Sequence, residues 1–239
     1  KDYKKAFECY QKAADLGCVT AITQIGVCYE NGIGVDKDCN KAIEYYQKAA
    51  DLEDPIALSN IAKCYEEGNG VEKNLAKAFE FYQKAADLED LNALFNVAVF
   101  YEEGKGVEQN FTKAFEYYQK AADLDCNNAF SKIGLLYETG KGVEQNYTKA
   151  VEFYLKAVDH DDNKELNRLG LLYSEGKGVE QNYDKAFECF QIAADLVDPN
   201  AFCNIGIAYE EGKGVEQNYN KAVEYYQKAA EYEIVLAFV

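Results

Sequence analysis

Apolar residues recur along this chain at the spacing of one helix face, in segments separated by short polar turns. In one such segment the apolar stripe consists of Ala57, Leu58, Ile61 and Tyr65. Asp54 precedes the stripe, and an Asp side chain can accept a hydrogen bond from a free N–H group at a helix N-terminus. The pattern predicts an amphipathic helix, which we call helix A.

A second amphipathic helix, called helix B, follows each helix A after a turn with the sequence Gly-x-Gly-Val. Its apolar stripe is typified by Ala114, Phe115, Tyr118, Ala121 and Ala122. An Asp or Asn stands at its predicted N-cap, in the column Asp2, Asp38, Asn74, Asn110, Asn146, Asn182 and Asn218. The first glycine of the turn can adopt the positive φ that ends a helix, so it marks the end of helix A.

The turn recurs every 36 residues without an insertion or deletion. Its six copies are Gly32–Val35, Gly68–Val71, Gly104–Val107, Gly140–Val143, Gly176–Val179 and Gly212–Val215. A fixed period of this size predicts a solenoid, because one helix pair is too small to bury its apolar face and must stack on its neighbours. We predict an all-α fold, a single α-solenoid domain of about six repeats over residues 1–239. Both ends of the chain fall inside a repeat, and we expect a segment of a longer array.

A tyrosine stands near the end of every helix A, in the column Tyr29, Tyr65, Tyr101, Tyr137, Tyr173 and Tyr209. We expect each ring to be buried with a hydrogen-bonded hydroxyl, since tyrosine combines a large apolar ring with one polar group. Small residues recur three positions earlier, in the column Gly26, Ala62, Ala98, Gly134, Gly170 and Gly206. They predict the points at which the two helices of a pair come closest.

Composition and charge favour a well-packed acidic protein. Hydrophobic residues make up 48% of the chain and aromatic residues 14%, which is too much for a disordered segment. The formal net charge of −17 repels phosphate backbones and anionic lipids. No apolar stretch approaches the roughly 18 residues of a membrane-spanning helix. We therefore expect a protein or peptide partner, and neither nucleic acid nor a membrane.

The repeat resembles the SEL-one-like repeat, a relative of the tetratricopeptide repeat, over essentially the whole chain. The residues of one unit that carry the resemblance are Ala129, Ile133, Gly134, Tyr137, Gly140, Gly142, Val143, Asn146, Tyr147, Lys149, Ala150, Tyr154, Lys156 and Ala157. The resemblance implies a right-handed superhelix of helix pairs that acts as an adaptor in protein complexes, with helix A on its concave side. Members of the family serve in several pathways, so the resemblance names none.

This chain departs from the family pattern at the end of helix B. The glycine that usually stands there is kept only as Gly17. Its replacements are Glu53, Glu89, Asp125, Asp161, Val197 and Glu233. We expect these helix ends to be terminated differently. Repeat five is the most irregular, with Glu165 in a column of alanines.

The eight cysteines raise the question of a disulfide framework. Cysteine-rich bacterial members of the family carry a pair of cysteines per repeat, but Ala50 and Leu58 occupy one such pair of positions here. The actual cysteines fall in other columns, as small apolar core residues would. We expect free thiols in a reducing, cytoplasmic compartment. The sequons at Asn110 and Asn146 leave the endoplasmic-reticulum lumen or secretion as an alternative, although an Asn at either position also serves as the cap of helix B.

No pattern of catalytic or cofactor-binding residues is present in the sequence. Gly-x-Gly-Val lacks the spacing and the lysine of a phosphate-binding loop, and it lies between helices. His160 is the single histidine, and no Cys-x-x-Cys spacing exists for a zinc site. The acidic segment 159–163 is similar to the start of a calcium loop, but Lys164 replaces the required glycine. We predict a protein that is not an enzyme and that has no cofactor or bound metal.

Candidate binding residues lie on the face of helix A opposite its core stripe. That face contains the columns of Thr20, Thr23, Gln24 and Val27. The column of Gln24 reads Gln24, Asn60, Asn96, Lys132, Arg168 and Asn204. The matching column of tetratricopeptide proteins is a concave position that grips a peptide backbone or a terminal carboxylate.

We infer a non-enzymatic adaptor that binds an extended peptide or a partner helix. Asn60, Asn96 and Asn204 would meet the backbone of the partner, and Lys132, Lys164 and Arg168 would meet its carboxylates. Lys63 and Lys164 lie one turn away in neighbouring columns. A solvated polar helix face explains the same residues without a ligand. Alternatives are a structural repeat protein that assembles through its ends and an adaptor of quality control in the endoplasmic reticulum.

Reduction should leave the thermal stability of the protein unchanged, because the paired cysteine positions of the family are empty. The melting temperature, measured by circular dichroism, should agree with and without dithiothreitol. A fall of many degrees on reduction would instead indicate disulfides that constrain the unfolded chain.

Overall fold

The computed structural model describes residues 2–159 and 165–237, and the side chains of 2–158 and 165–231. Those residues form α-helices and no strand, as the helical periodicity predicts. The helices are α1 (Tyr3–Asp15), α2 (Val19–Asn31), α3 (Cys39–Ala50), α4 (Pro55–Glu67), α5 (Leu75–Asp87), α6 (Leu91–Glu103), α7 (Phe111–Asp123), α8 (Asn127–Thr139), α9 (Tyr147–Asp159), α10 (Leu166–Glu175), α11 (Tyr183–Asp195), α12 (Pro199–Glu211) and α13 (Tyr219–Ala237).

The chain divides into two compact units, 1–126 with α1 to α7 and 127–239 with α8 to α13. The even-numbered helices are the predicted helices A, and the odd-numbered ones are the helices B. Within each unit every helix A packs most extensively on the helix B that follows it, and that helix B packs on the next helix A. This alternation is the all-α solenoid that the 36-residue period predicts, whereas a single domain over 1–239 stays a prediction.

The predicted caps form at the N-terminus of helix A and also connect neighbouring repeats. Asp54 accepts a hydrogen bond from the amide of Ile56 at 3.0 Å, which caps α4. Its other carboxylate oxygen accepts a bond from the hydroxyl of Thr23 in the preceding repeat at 2.5 Å. Ser59 makes the equivalent bond to Asp90 at 2.8 Å. The placement of Thr23 on an open helix face is therefore wrong: its side chain is 1% exposed, because it lies between two repeats.

The two glycines of the Gly-x-Gly-Val turn have different tasks. Gly32 ends α2 with a φ of 69°, as predicted. Gly34 also has a positive φ, but its second constraint is space, since a Cβ atom there would lie 2.2 Å from the carbonyl oxygen of Tyr3 in the preceding helix B. Gly214 meets Tyr183 at the same distance. The second glycine thus lets the turn of one repeat lie directly on the backbone of the previous one.

Helix B ends in the same way whether or not a glycine is present, so the expectation of a different ending is wrong at the described positions. Gly17 has a φ of 85°, and Val197 adopts a φ of 66°. The other replacements with positive φ are Glu53, Glu89 and Asp125. The amide of the residue that follows the positive-φ position still bonds back into the helix, as from Asp198 to the carbonyl oxygen of Ala193 at 3.1 Å. Asp161 lies outside the described residues, and α13 continues through Glu233.

The most deeply buried large side chains are tyrosines of helix B. Tyr46, Tyr118 and Tyr154 are at most 1% exposed, and Tyr82 is 3% exposed. Each hydroxyl donates a hydrogen bond to a glutamate of the preceding helix A. The described pairs are Tyr46–Glu30 (2.5 Å), Tyr82–Glu66 (3.0 Å), Tyr118–Glu102, Tyr154–Glu138 (2.6 Å) and Tyr226–Glu210 (2.6 Å). These pairs join the two helices of a repeat.

The tyrosines of helix A are less buried than predicted. Tyr101 and Tyr173 are buried, whereas the other members of the column are half-buried. Tyr29 stacks on Tyr45 of helix B with ring centroids 5.6 Å apart, and the ammonium group of Lys41 lies 5.3 Å from its ring centroid. This column therefore forms the edge of the core, and the helix B tyrosines form its centre.

Replacing Val197 by glycine should stabilise the protein. A β-branched residue with positive φ costs about 1–2 kcal/mol, and the greater chain entropy of glycine in the unfolded state offsets part of the gain. Because the Val197 side chain is half exposed, little buried area is lost. We expect the free energy of unfolding to rise by about 0.5–1 kcal/mol in urea titrations. Leu196→Gly, at a negative φ, is the matched control and should destabilise; a loss with Val197→Gly would contradict the strain.

Stability should fall at alkaline pH because of the helix B tyrosines. Burial, reinforced by the neighbouring glutamates, raises the pKa of Tyr46, Tyr82, Tyr118 and Tyr154 far above the ordinary value. Above about pH 10 the unfolded chain loses these phenol protons and the folded chain keeps them, so the free energy of unfolding decreases. Below that pH the contribution is complete.

The test follows phenolate absorbance and helical circular dichroism during a titration to high pH. The buried phenols should ionise only together with the loss of helix. Tyr118→Phe removes one of them and should make the fall in stability less steep. Ionisation of all tyrosines while the helices stay intact would show that the phenols are accessible.

Candidate functional site

The candidate binding residues occupy equivalent positions of helices A, which we call the helix A face of each unit. They are Asn60 and Asn96 with the adjacent Lys63 in the unit 1–126, and Lys132, Arg168 and Asn204 in the unit 127–239. In the unit 1–126, Asn60 and Asn96 occupy equivalent positions of α4 and α6 and are half-buried. Lys63 is exposed, and its ammonium nitrogen lies 3.9 Å from a carboxylate oxygen of Glu67. This part of the face offers two amide groups and one cation that is loosely paired.

In the unit 127–239, Arg168 of the helix A face is held by two carboxylates. The guanidinium of Arg168 on α10 lies 3.4 Å from Glu138 of α8 and 2.8 Å from Glu165. Glu138 also accepts a hydrogen bond from the Tyr154 hydroxyl at 2.6 Å. A carboxylate of a partner would therefore meet an oriented guanidinium that already faces two carboxylates. The sequence could not show this pairing, because Glu138 is 30 residues away.

The other predicted residues of this unit have separate surroundings. Lys132 lies half-buried on α8. Asn204 on α12 donates a hydrogen bond from Nδ2 to Oδ1 of Asn167 at 2.7 Å, which links it to the preceding helix A. Lys164 lies outside the described residues. That these side chains bind a partner stays a prediction.

The cysteine side chains have the properties of core residues. All eight are free thiols. Burial raises the pKa of Cys64 to about 12 and that of Cys189 to about 11, and it also raises the pKa of Cys28. Because the thiolate is the nucleophile, these three groups are unreactive at neutral pH.

In the described part of the chain, no group of three or more His, Cys, Asp or Glu residues is arranged to hold a metal ion. No helix among residues 2–159 and 165–237 combines the length and the apolar character that crossing a bilayer requires.

Repeat five lacks the tyrosine–glutamate pair, since Phe190 stands in the tyrosine column and Ser174 in the glutamate column. The Phe190 ring keeps the usual place: a Cβ atom added to Gly170 would lie 2.5 Å from it, and one added to Gly134 would lie 2.6 Å from Tyr154. Without the two polar groups, a cavity of about 220 Å³ opens beside the ring. Its principal lining residues are Leu171, Ser174, Phe187, Phe190, Asn204 and Ile207.

This cavity was not predicted from the sequence, although the sequence contains a signal for it. Ser174 and Phe190 replace both members of the tyrosine–glutamate pair in the same repeat. Such a joint change indicates that the whole contact is lost. The exposed apolar side chains of Leu171 and Ile207 also belong to a column on the helix A face. The cavity therefore lies beside the candidate binding residue Asn204.

The sequence profile of the Sel1 repeat matches this chain in seven segments. They are residues 1–18, 19–54, 55–90, 91–126, 131–162, 166–198 and 200–231. Together they span most of both units, and each complete segment contains one helix A and one helix B. Among curated proteins, no sequence gave a significant match.

Solved structures of the same kind match the chain closely. A protective antigen of uropathogenic Escherichia coli strains that displays an SLR fold has a TM-score of 0.88 and 28% identity, over 94% of this chain and 48% of the antigen. This chain thus spans about half of that relative. A Sel1 repeat protein from Oxalobacter formigenes has a TM-score of 0.81 and 29% identity, over 96% of this chain and 94% of that protein.

A more distant match shows the fold alone. A putative Sel1 repeat protein from Klebsiella pneumoniae has a TM-score of 0.52 at 17% identity, over 94% of this chain and 99% of the other.

Sel1 repeat proteins generally act as scaffolds for protein interactions and are typically non-catalytic. On the evidence of the seven profile matches, the helix pairs and the 36-residue period, this chain belongs to the Sel1 repeat family.

Proposed function

We propose that this protein is a non-enzymatic adaptor that binds an extended peptide segment of a partner protein along the helix A face. The observation that carries the proposal is the recurrence of partly exposed amide or cationic side chains at one position of successive helices A. An asparagine amide offers both a donor and an acceptor, which suits the alternating groups of an extended backbone. Repetition at a fixed period gives the peptide several such contacts in a row.

The cations of the helix A face would bind carboxylates of the partner. Arg168 is held by Glu138 and Glu165, yet its side chain is 44% exposed. An arginine has five N–H donors, so a bound carboxylate can join the network without breaking both existing contacts. Lys132 and Lys63 would add point charges. Since the cysteines are free thiols, we also propose a reducing, cytoplasmic location.

A selection of phage-displayed dodecapeptides on the purified chain tests the proposal. Calorimetry then compares a selected peptide on the native protein and on two double variants, Asn60→Ala with Asn96→Ala, and Lys132→Glu with Arg168→Gln. Glutamine at 168 avoids a third carboxylate beside Glu138 and Glu165. We expect each variant to bind about 2–3 kcal/mol more weakly, because groups desolvated in the complex lose their partners.

The matched control changes equal charges on helix B, with Lys120→Glu and Lys156→Gln, and should keep the native affinity. Circular dichroism checks that the helical content is the same in all four proteins. If no peptide is enriched, or if the helix A variants bind as well as the native protein, the helix A face is not the binding surface.

A further inference from the structure

We propose that the cavity of repeat five receives one leucine- or phenylalanine-sized side chain of the bound peptide, next to a basic residue of that peptide. We call it the repeat-five pocket; it is formed by Leu171, Ser174, Phe187, Phe190, Asn204 and Ile207 between α10, α11 and α12. This inference rests on the proposed function and adds the point at which the peptide is anchored.

The preceding repeat shows how the chain makes the pocket. The residues equivalent to Ser174 and Asn204 are Glu138 and Arg168, and their side chains pair at 3.4 Å beside the Tyr154 hydroxyl. One repeat later, serine, asparagine and phenylalanine replace these three groups. Each replacement is shorter or lacks a polar atom, which leaves space for the cavity beside Phe190.

The pocket has an apolar floor and an apolar rim. Phe187 and Phe190 are buried at its base, whereas Leu171 is 37% exposed and Ile207 is 43% exposed at its mouth. A volume of about 220 Å³ suits one large side chain rather than a whole small molecule. Binding of such a side chain would cover the two exposed aliphatic residues, and peptide interfaces are anchored by buried groups of this kind.

Polar groups beside the mouth favour a peptide over another apolar ligand. Nδ2 of Asn204 donates a hydrogen bond to Asn167. Oδ1 of Asn204 can therefore serve as the acceptor for a backbone N–H group of the peptide. Glu175 and Glu211 also line the pocket. Each carboxylate has one ion pair at 2.6 Å, with Lys177 and Lys213 respectively, and retains further acceptor sites for a cation. With a net charge of −17, the protein attracts a basic partner.

Methyl-resolved NMR of protein labelled at Ile, Leu and Val tests the pocket with four blocked tetrapeptides. Gly-Leu-Lys-Gly and Gly-Phe-Lys-Gly should shift the methyl signals of Leu171 and Ile207 in a saturable manner, with Kd values in the millimolar range. Gly-Ala-Lys-Gly should bind at least roughly tenfold more weakly, because it buries less apolar area. Gly-Leu-Glu-Gly should also bind more weakly, because its carboxylate meets Glu175 and Glu211.

A repaired variant, Ser174→Glu with Phe190→Tyr, installs the glutamate–tyrosine pair of the preceding repeat and should abolish the shifts. The matched control, Glu66→Ser with Tyr82→Phe, makes the opposite change in the unit 1–126 and should leave them intact. The proposal is overturned if the native signals do not saturate, if the alanine peptide binds equally, or if the repaired variant responds like the native protein.

The same variant separates this inference from the proposed function. If it binds the phage-selected peptide with native affinity, the pocket is not the anchor and the helix A adaptor stands. If no phage peptide binds the native chain, the adaptor proposal fails, and the tetrapeptide shifts still report on the pocket.

Discussion

Outside repeat five, the two helices of a repeat are joined by a helix B tyrosine whose phenol donates a hydrogen bond to a glutamate of the preceding helix A. A ring such as Tyr118 supplies apolar area at the centre of the helix pair, and its hydroxyl would be costly there without an acceptor. Glu102 supplies that acceptor from helix A. The bond joins the two helices across the centre of the pair. No buried side-chain N or O atom among the described residues lacks a hydrogen-bond partner, so the polar groups of the core are all satisfied there.

The glutamate of this pair also connects the core to the candidate binding surface. Glu138 contacts the phenol of Tyr154 on one side and the guanidinium of Arg168 on the other. A change in the core therefore alters the surface beside it. In repeat five the change is complete, because Ser174 and Phe190 replace both partners and a cavity remains. In this chain, variation in a core pair thus creates a specific surface feature while the phenylalanine ring keeps the place of the tyrosine.

The period, the helix pairs, the caps and the first glycine of the turn could be predicted from sequence, because each depends on neighbours within a few residues. Features that depend on the adjacent repeat could not. The second glycine, Gly34, is required by a backbone atom of Tyr3, and Thr23 is buried by Asp54 of the next repeat. Val197 carries a positive φ because the fold outweighs its local preference, although its alignment with Gly17 was a usable signal. The pairing of Arg168 with Glu138 depends on how α8, α9 and α10 pack together.

The shared cap at Asp54 has a consequence for how order spreads through the chain. One oxygen of this carboxylate starts its own helix, and the other receives the hydroxyl of Thr23 from the repeat before it. The start of α4 is therefore fully bonded only when the previous helix A is already in place. One step later, Asp90 accepts bonds both from the amide of Ala93 in its own helix and from the hydroxyl of Ser59 in the preceding helix A, at the same oxygen Oδ1. The shared carboxylate couples helix initiation to repeat stacking, which favours the spread of order between neighbouring repeats over independent folding of each pair.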